Sequence, residues 1–215
     1  MTDTAPTVST ETPSQIITPD QYEALAGSPP KLPTQRELFD YQVEGLVLRK
    51  LAQYADADPF RSRIPERGLF LFVPPPPKVL ELVELMALVE LDGKSGVNYL
   101  DLAHLADVVK VPATASFLLD VEDGRARLNI EPSVSREAIK TEKRQLYTTW
   151  RGIIHGILFP WVLSHHSMDL CGSRYGSKFV PFLCLDDGGP RLNGLWGDVA
   201  DPEWGAPSCG SVLVP

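Results

Sequence analysis

Cysteine is scarce in this chain. Three residues, Cys171, Cys184 and Cys209, are spread over 215 positions. An odd number at wide spacing excludes the disulfide framework of a small secreted domain and leaves free thiols as the expectation. Long apolar runs are also missing: the longest, Gly152 to Leu163, contains His155 and Pro160, well short of the roughly 20 residues that a membrane-crossing helix requires. Basic side chains are in the minority, 20 Lys and Arg against 28 Asp and Glu, for a net charge of -8. Phosphate contacts need clustered cations, so nucleic acid is not an expected partner. The N-terminus has neither a basic start nor an apolar core, so no secretory signal is read there and a cytoplasmic location is expected.

What is present is globular. With 43% hydrophobic and 22% charged residues, the chain can bury a core. Residues 1–17 are the exception: rich in Thr, Ser, Pro and Glu, they cannot offset their own ordering entropy and are expected to form a disordered tail ahead of a single domain, 18–215. Thr18-Pro19-Asp20 opens a short helix that Gly27 stops. After a connector stiffened by Pro29, Pro30 and Pro33, Thr34 with Glu37 has the capping-box spacing of a longer helix ending before Pro59. Its apolar stripe is read at Val47, Leu48, Leu51, Ala52 and Ala55, with Gln42 on the polar face.

Gly68 to Val73 reads as a buried strand stopped by Pro74 to Pro77, and Val79 to Leu91 as helical in its first half. Tyr99 to Val109 carries a weak helical pattern. A hairpin is expected from Ser116–Val121, a Glu122-Asp-Gly124 turn and Arg125–Ile130. A helix follows from Pro132 to about Arg144, and another along Leu146, Trp150, Ile153, Ile154, Ile157 and Leu158, interrupted by Pro160. Strands are read at Lys178–Leu185 and Arg191–Gly197 around a turn at Asp186 to Pro190. This irregular alternation predicts an α+β domain with a mainly antiparallel sheet packed by helices.

Leu91-Asp-Gly-Lys-Ser-Gly96, the strand Phe117 to Gly124, Gly172-Ser-Arg-Tyr-Gly176 with Val180-Pro181, and the Trp-rich ending together resemble an actinobacterial family of uncharacterised proteins, domain of unknown function 5701, over residues 38–210. The resemblance implies a cytoplasmic bacterial protein of one domain. It carries no activity or binding residue to transfer.

Candidate chemistry concentrates between Cys171 and Gly210. Cys171 to Lys178 holds Ser173, Arg174 and Lys178 among glycines, the material of an anion-holding loop, although its spacing is not that of a Walker A motif. His165, His166, Asp169 and Cys171 are metal-ligand types close together, but without the short Cys-x-x-Cys spacing of a structural site, so no metal or other cofactor is expected. Cys209, in a small-residue loop, is a candidate nucleophile with His155 or His165 as its base, and Arg151 with His155 would make a titratable pair if their helix face lined a cleft. Trp196 and Trp204 flank an acidic irregular segment and are candidate pocket walls or interface anchors. The leading expectation is a binding module for a small molecule or protein, using this C-terminal aromatic loop. A small enzyme acting through His155, His165 and Cys209 on a polar or anionic substrate is the alternative, and a tail acting as tether within an assembly is a third reading.

Overall fold

The structure is a computed structural model that describes residues 17–27, 33–77 and 81–215. The expected tail and proline connector fall outside these residues except for Ile17, which is buried in the core, and Pro33. Six α-helices are described: α1 (Pro19–Gly27), α2 (Gln35–Leu48), α3 (Tyr54–Ala57), α4 (Leu82–Ala87), α5 (Pro132–Thr141) and α6 (Thr149–Leu158). The strands are β1 (Leu71–Val73), β2 (Glu90–Leu91), β3 (Lys94–Ser95), β4 (Val97–Asn98), β5 (Leu105–Asp107), β6 (Ser116–Glu122), β7 (Gln145–Leu146), β8 (Ser167–Asp169), β9 (Ser173–Tyr175), β10 (Phe179–Asp186), β11 (Gly189–Trp196), β12 (Trp204–Gly205) and β13 (Ser208–Leu213).

The strands form two main sheets and the small β2–β3 hairpin. One sheet runs β1-β6-β13-β7, with every pairing antiparallel. The other runs β12-β8-β10-β11-β4, with β9 on β10 and β5 on β9. Only the outer pairings β11–β4 and β12–β8 are parallel. The chain is thus a single α+β domain with mainly antiparallel sheets.

Helix α2 begins as its sequence dictates. The Thr34 hydroxyl accepts the Glu37 N–H at 3.2 Å and Glu37 Oε2 accepts the Thr34 N–H at 2.7 Å, so two otherwise unpaired donors are satisfied reciprocally. Its buried face, however, is Leu38, Phe39, Gln42, Val43 and Leu46, while Leu48 is 61% exposed. Gln42 belongs inside because it completes the short edge strand β1: its Nε2 donates to Phe70 O at 3.0 Å and its Oε1 accepts the Phe72 N–H at 2.7 Å. A buried amide with both ends paired is tolerated where an unpaired one is not.

Two other expectations are corrected. The hairpin after Ser116–Val121 does not form; β6 pairs with the distant β1 and β13. Glu122 Oε1 accepts the N–H groups of Gly124 and Ala126, both at 2.9 Å, and winds Arg125–Arg127 into a 3₁₀ turn. The weak helix over Tyr99–Val109 is a single 3₁₀ turn, Leu102–His104, capped by Asp101, after which β5 is drawn into pairing with β9.

Helix α6 lies at the centre of the fold, with all ten residues buried. The Thr148 side chain caps it and it ends at Phe159, ahead of Pro160. Arg151 and His155 therefore face protein rather than a cleft. The loop after β8 is held against the strand leading into α6 by the Gly172 N–H, which donates to Tyr147 O at 2.6 Å. A Cβ at Gly172 would sit 2.6 Å from that same oxygen. Gly172→Ala is expected to destabilise the fold by roughly 1–3 kcal/mol, the usual range for overpacking, with urea unfolding as the measurement.

Candidate functional site

The groove nearest to the sequence expectation lies where the N-terminal part of α5 meets the turn before β10 and the end of β11. Ser133, Arg136, Arg174, Ser177, Lys178 and Trp196 line a void of about 450 Å³ together with Asp198. Trp196 is opposite Phe179 in the β10–β11 register, with ring centroids 4.6 Å apart, and remains 47% exposed. Lys178 Nζ lies 5.6 Å from the centroid of the indole, within cation–π reach. The Ser133 N–H donates to Gly197 O at 2.9 Å and so ties the start of α5 to the loop after Trp196.

Arg136 is the lining cation that is itself tied to the loop. Its Nε donates to Cys171 O at 2.8 Å and its Nη2 to Ser173 O at 3.2 Å, so the guanidinium is held in place by the loop it supports. Arg136, Arg174 and Lys178 have no carboxylate within 4.0 Å among the described residues. Three cations against the single carboxylate of Asp198, lining one groove with an exposed indole in a chain of net charge -8, favour an anion with a flat apolar body. Sequence reading identified Arg174, Lys178 and Trp196, with Ser177 inside the same loop, but missed Arg136 and the hydroxyl of Ser133. Arg136 is 35 residues from the carbonyl it grips, and no local pattern announces that pairing.

The other candidates lie elsewhere. Ser173 is buried beneath the loop, where its Oγ accepts the Thr149 N–H at 2.8 Å and donates to Asp107 Oδ1 at 2.5 Å. Arg151 is buried with Nη1 donating to Leu146 O at 2.6 Å. Trp204 stacks on Phe182 at 4.7 Å, on β12, and β8 and β10 separate it from the strand of Trp196. The two indoles flank one stretch of sequence but do not share a site.

His155 belongs to a closed network. The Tyr22 hydroxyl, from α1, is 3.0 Å from Asp123 Oδ2 and 2.8 Å from His155 Nε2; Tyr147 Oη is 3.4 Å from His155 Nδ1. With Tyr22 donating to the carboxylate, His155 Nε2 carries the proton and donates to Tyr22, and Nδ1 accepts from Tyr147. Both ring nitrogens are thereby occupied. Complete burial lowers the His155 pKa to about 4, against the opposing pull of Asp123, so the imidazole is neutral at pH 7. Around it, Arg125 grips Asp123 and Glu23 together, while His166 Nε2 is 3.0 Å from Asp123 O. Burial alone would raise the Asp123 pKa, yet its bonds to Arg125 hold it below the usual carboxylate value.

Cys209, in β13, is buried, and desolvation pushes its thiol up to about 11; a buried neutral thiol is a poor nucleophile. His165 instead reaches Glu23 at 3.2 Å on the surface. No hydrogen bond joins Cys209 to either histidine among the described residues. Nor are three His, Cys, Asp or Glu side chains grouped to share a metal ion there. His165, His166, Asp169 and Cys171 are turned to separate surroundings: Glu23, the Asp123 carbonyl, a buried sheet face and, for the Cys171 thiol, Pro132 O at 3.3 Å.

Fold and groove together define an α+β protein with an open cationic and aromatic recess, and no described helix is long and apolar enough to cross a membrane. The chain belongs to a family of unknown function, DUF5701, whose family model matches residues 37–197. No curated protein and no solved structure matches it.

Proposed function

We propose that this protein is a binding module for a small anionic ligand, a carboxylate or phosphate carried on a flat apolar group, taken up in the groove between α5 and the β10–β11 edge. The observation that carries this reading is the convergence of Arg136, Arg174 and Lys178, none with a carboxylate partner among the described residues, beside the exposed face of Trp196. The guanidiniums and the ammonium engage the anion by charge-assisted hydrogen bonds, Ser133 and Ser177 supply further donors, and the indole covers the ring. The enzymatic alternative draws no comparable support, since His155 has both nitrogens engaged and Cys209 is a buried thiol. Free cysteines accord with a cytoplasmic setting for this module.

Calorimetric titration with phenyl phosphate, indole-3-acetate and uncharged benzamide tests the reading. The two anions are expected to bind and benzamide not. The double variant Arg174→Ala/Lys178→Ala is expected to weaken the anions by about tenfold or more, because two charge-assisted contacts are removed, with an unchanged melting temperature. Anion affinity that is absent at millimolar concentration, or indifferent to the double substitution, would overturn it.

A further inference from the structure

A second cavity, separate from the cationic groove, lies where α4 and the turn before β5 meet the N-terminal end of α6. Leu82, Leu85, Leu102, Leu105, Trp150 and Ile153 give it apolar walls, and its volume is about 220 Å³. A dry apolar cavity of roughly 150 Å³ suffices for benzene, so there is space for a ring and a short chain. The α6 side of the wall is fixed: Ile153 is completely buried, and Trp150 Nε1 is committed to Pro74 O at 2.9 Å.

Two polar groups interrupt these walls. Thr149 is 3% exposed, and its hydroxyl has no hydrogen-bond partner among the described residues. A buried hydroxyl left unpaired is costly unless something in the cavity pairs with it. Beside it, the Asp107 carboxylate reaches the same cavity. Among the described residues Asp107 is anchored through one oxygen only, Oδ1, which accepts the Ser173 hydroxyl, and that hydroxyl in turn accepts the Thr149 N–H. Partial desolvation raises the carboxyl above its ordinary pKa, opposed by the Ser173 bond and by Arg151. Asp107 is an exposed residue, so a cation entering the cavity can reach its carboxylate.

We infer that this cavity binds a small apolar amine, its ring or branched alkyl body among the leucines, Trp150 and Ile153, and its ammonium donating to Asp107 and to the Thr149 hydroxyl. An ammonium offers three donors and no acceptor, which matches a carboxylate and a hydroxyl on two lining residues linked through Ser173. An anion of the same shape would meet Asp107 with like charge. The site has the build of a small-molecule pocket: a mostly apolar lining with a few convergent polar groups.

The test uses the full chain carrying Arg174→Ala/Lys178→Ala, which removes the anion contacts of the cationic groove, with three probes of nearly equal size, 2-phenylethylamine, 2-phenylethanol and phenylacetate, titrated calorimetrically at pH 7. The amine is expected to bind most tightly, the alcohol more weakly and the acid weakest. Asp107→Asn, which keeps an oxygen for Ser173, is expected to weaken the amine about tenfold and leave the alcohol within about twofold. Leu102→Trp, a change at a half-exposed wall position, is expected to block all three. Equal or tighter binding of the acid, amine affinity unmoved by Asp107→Asn, or no binding of the amine at 10 mM (a ceiling of about 2.7 kcal/mol) would each overturn the inference. Because the groove's cations are absent from this background, failure at one site is distinguishable from failure at the other.

Discussion

Replacing Asp123 with alanine is expected to cost about 3–5 kcal/mol of unfolding free energy, the penalty for breaking a buried ion pair from one side. The carboxylate, 1% exposed, is the common acceptor for Arg125 and Tyr22 and lies 3.7 Å from His166 Nε2. Its removal takes from the Tyr22 hydroxyl its carboxylate acceptor and leaves Arg125 with Glu23 alone. Asp123→Asn retains an acceptor oxygen while discarding the charge, and is expected to cost less, about 1–3 kcal/mol. Urea unfolding of the two variants against the parent measures both values. A loss under 1 kcal/mol for alanine would show that the network contributes little beyond packing.

The second large effect is a dependence on pH that two buried groups nearly hide from view. His155 has its pKa lowered to about 4 in the folded protein, so the stability it contributes is full above the ordinary histidine value of 6.5 and is lost as pH falls from there toward 4. Asp169 behaves in the opposite sense. Burial, reinforced by Asp201, lifts its carboxyl to about 7 from 3.8, and its Oδ1 has no partner among the described residues. The folded state holds the proton that the unfolded chain releases, so stability is full below 3.8 and declines as pH rises to 7. At ~1.4 kcal/mol per pH unit for each group, the two slopes cancel between pH 4 and 6.5.

Asp169→Asn removes one side of that balance. The stability of the variant relative to the parent is expected to rise across the window from about pH 4 to 7, reaching about 2–4 kcal/mol at the top. Melting curves at half-unit intervals of pH provide the measurement. A difference between variant and parent that stays constant across this window would mean that Asp169 is not held protonated.

Features encoded within a few residues were legible in the sequence. The Thr34–Glu37 capping box, the β10–β11 hairpin around Asp187 and Gly188, and the arrest of α6 by Pro160 are local instructions that tertiary structure did not override. Features decided by distant partners were not. Gln42 reads as a polar-face residue until β1 is seen to need its amide, and the strand β6 cannot reveal that β13 lies beside it, some ninety positions later.

The candidate site divides in the same way. Arg174, Lys178 and Trp196 were found because the turn and the hairpin bring them together locally, whereas Arg136 arrives on a separate helix. His155 and Cys209 were candidates by residue type alone. Burial, which composition cannot report at a single position, turns the first into a neutral member of a closed network and the second into a thiol on a core strand.

The region shared with the family, 37–197, is shorter than the unit that folds. Strand β13 (Ser208–Leu213) lies between β6 and β7, and α1 supplies the hydroxyl that completes the bonding of His155. A fragment trimmed to the shared region would lose the strand that bridges β6 to β7 and open an unfilled gap over a buried carboxylate. Expression of the domain therefore calls for boundaries set outside the matched span, from Ile17 through Leu213 at the least.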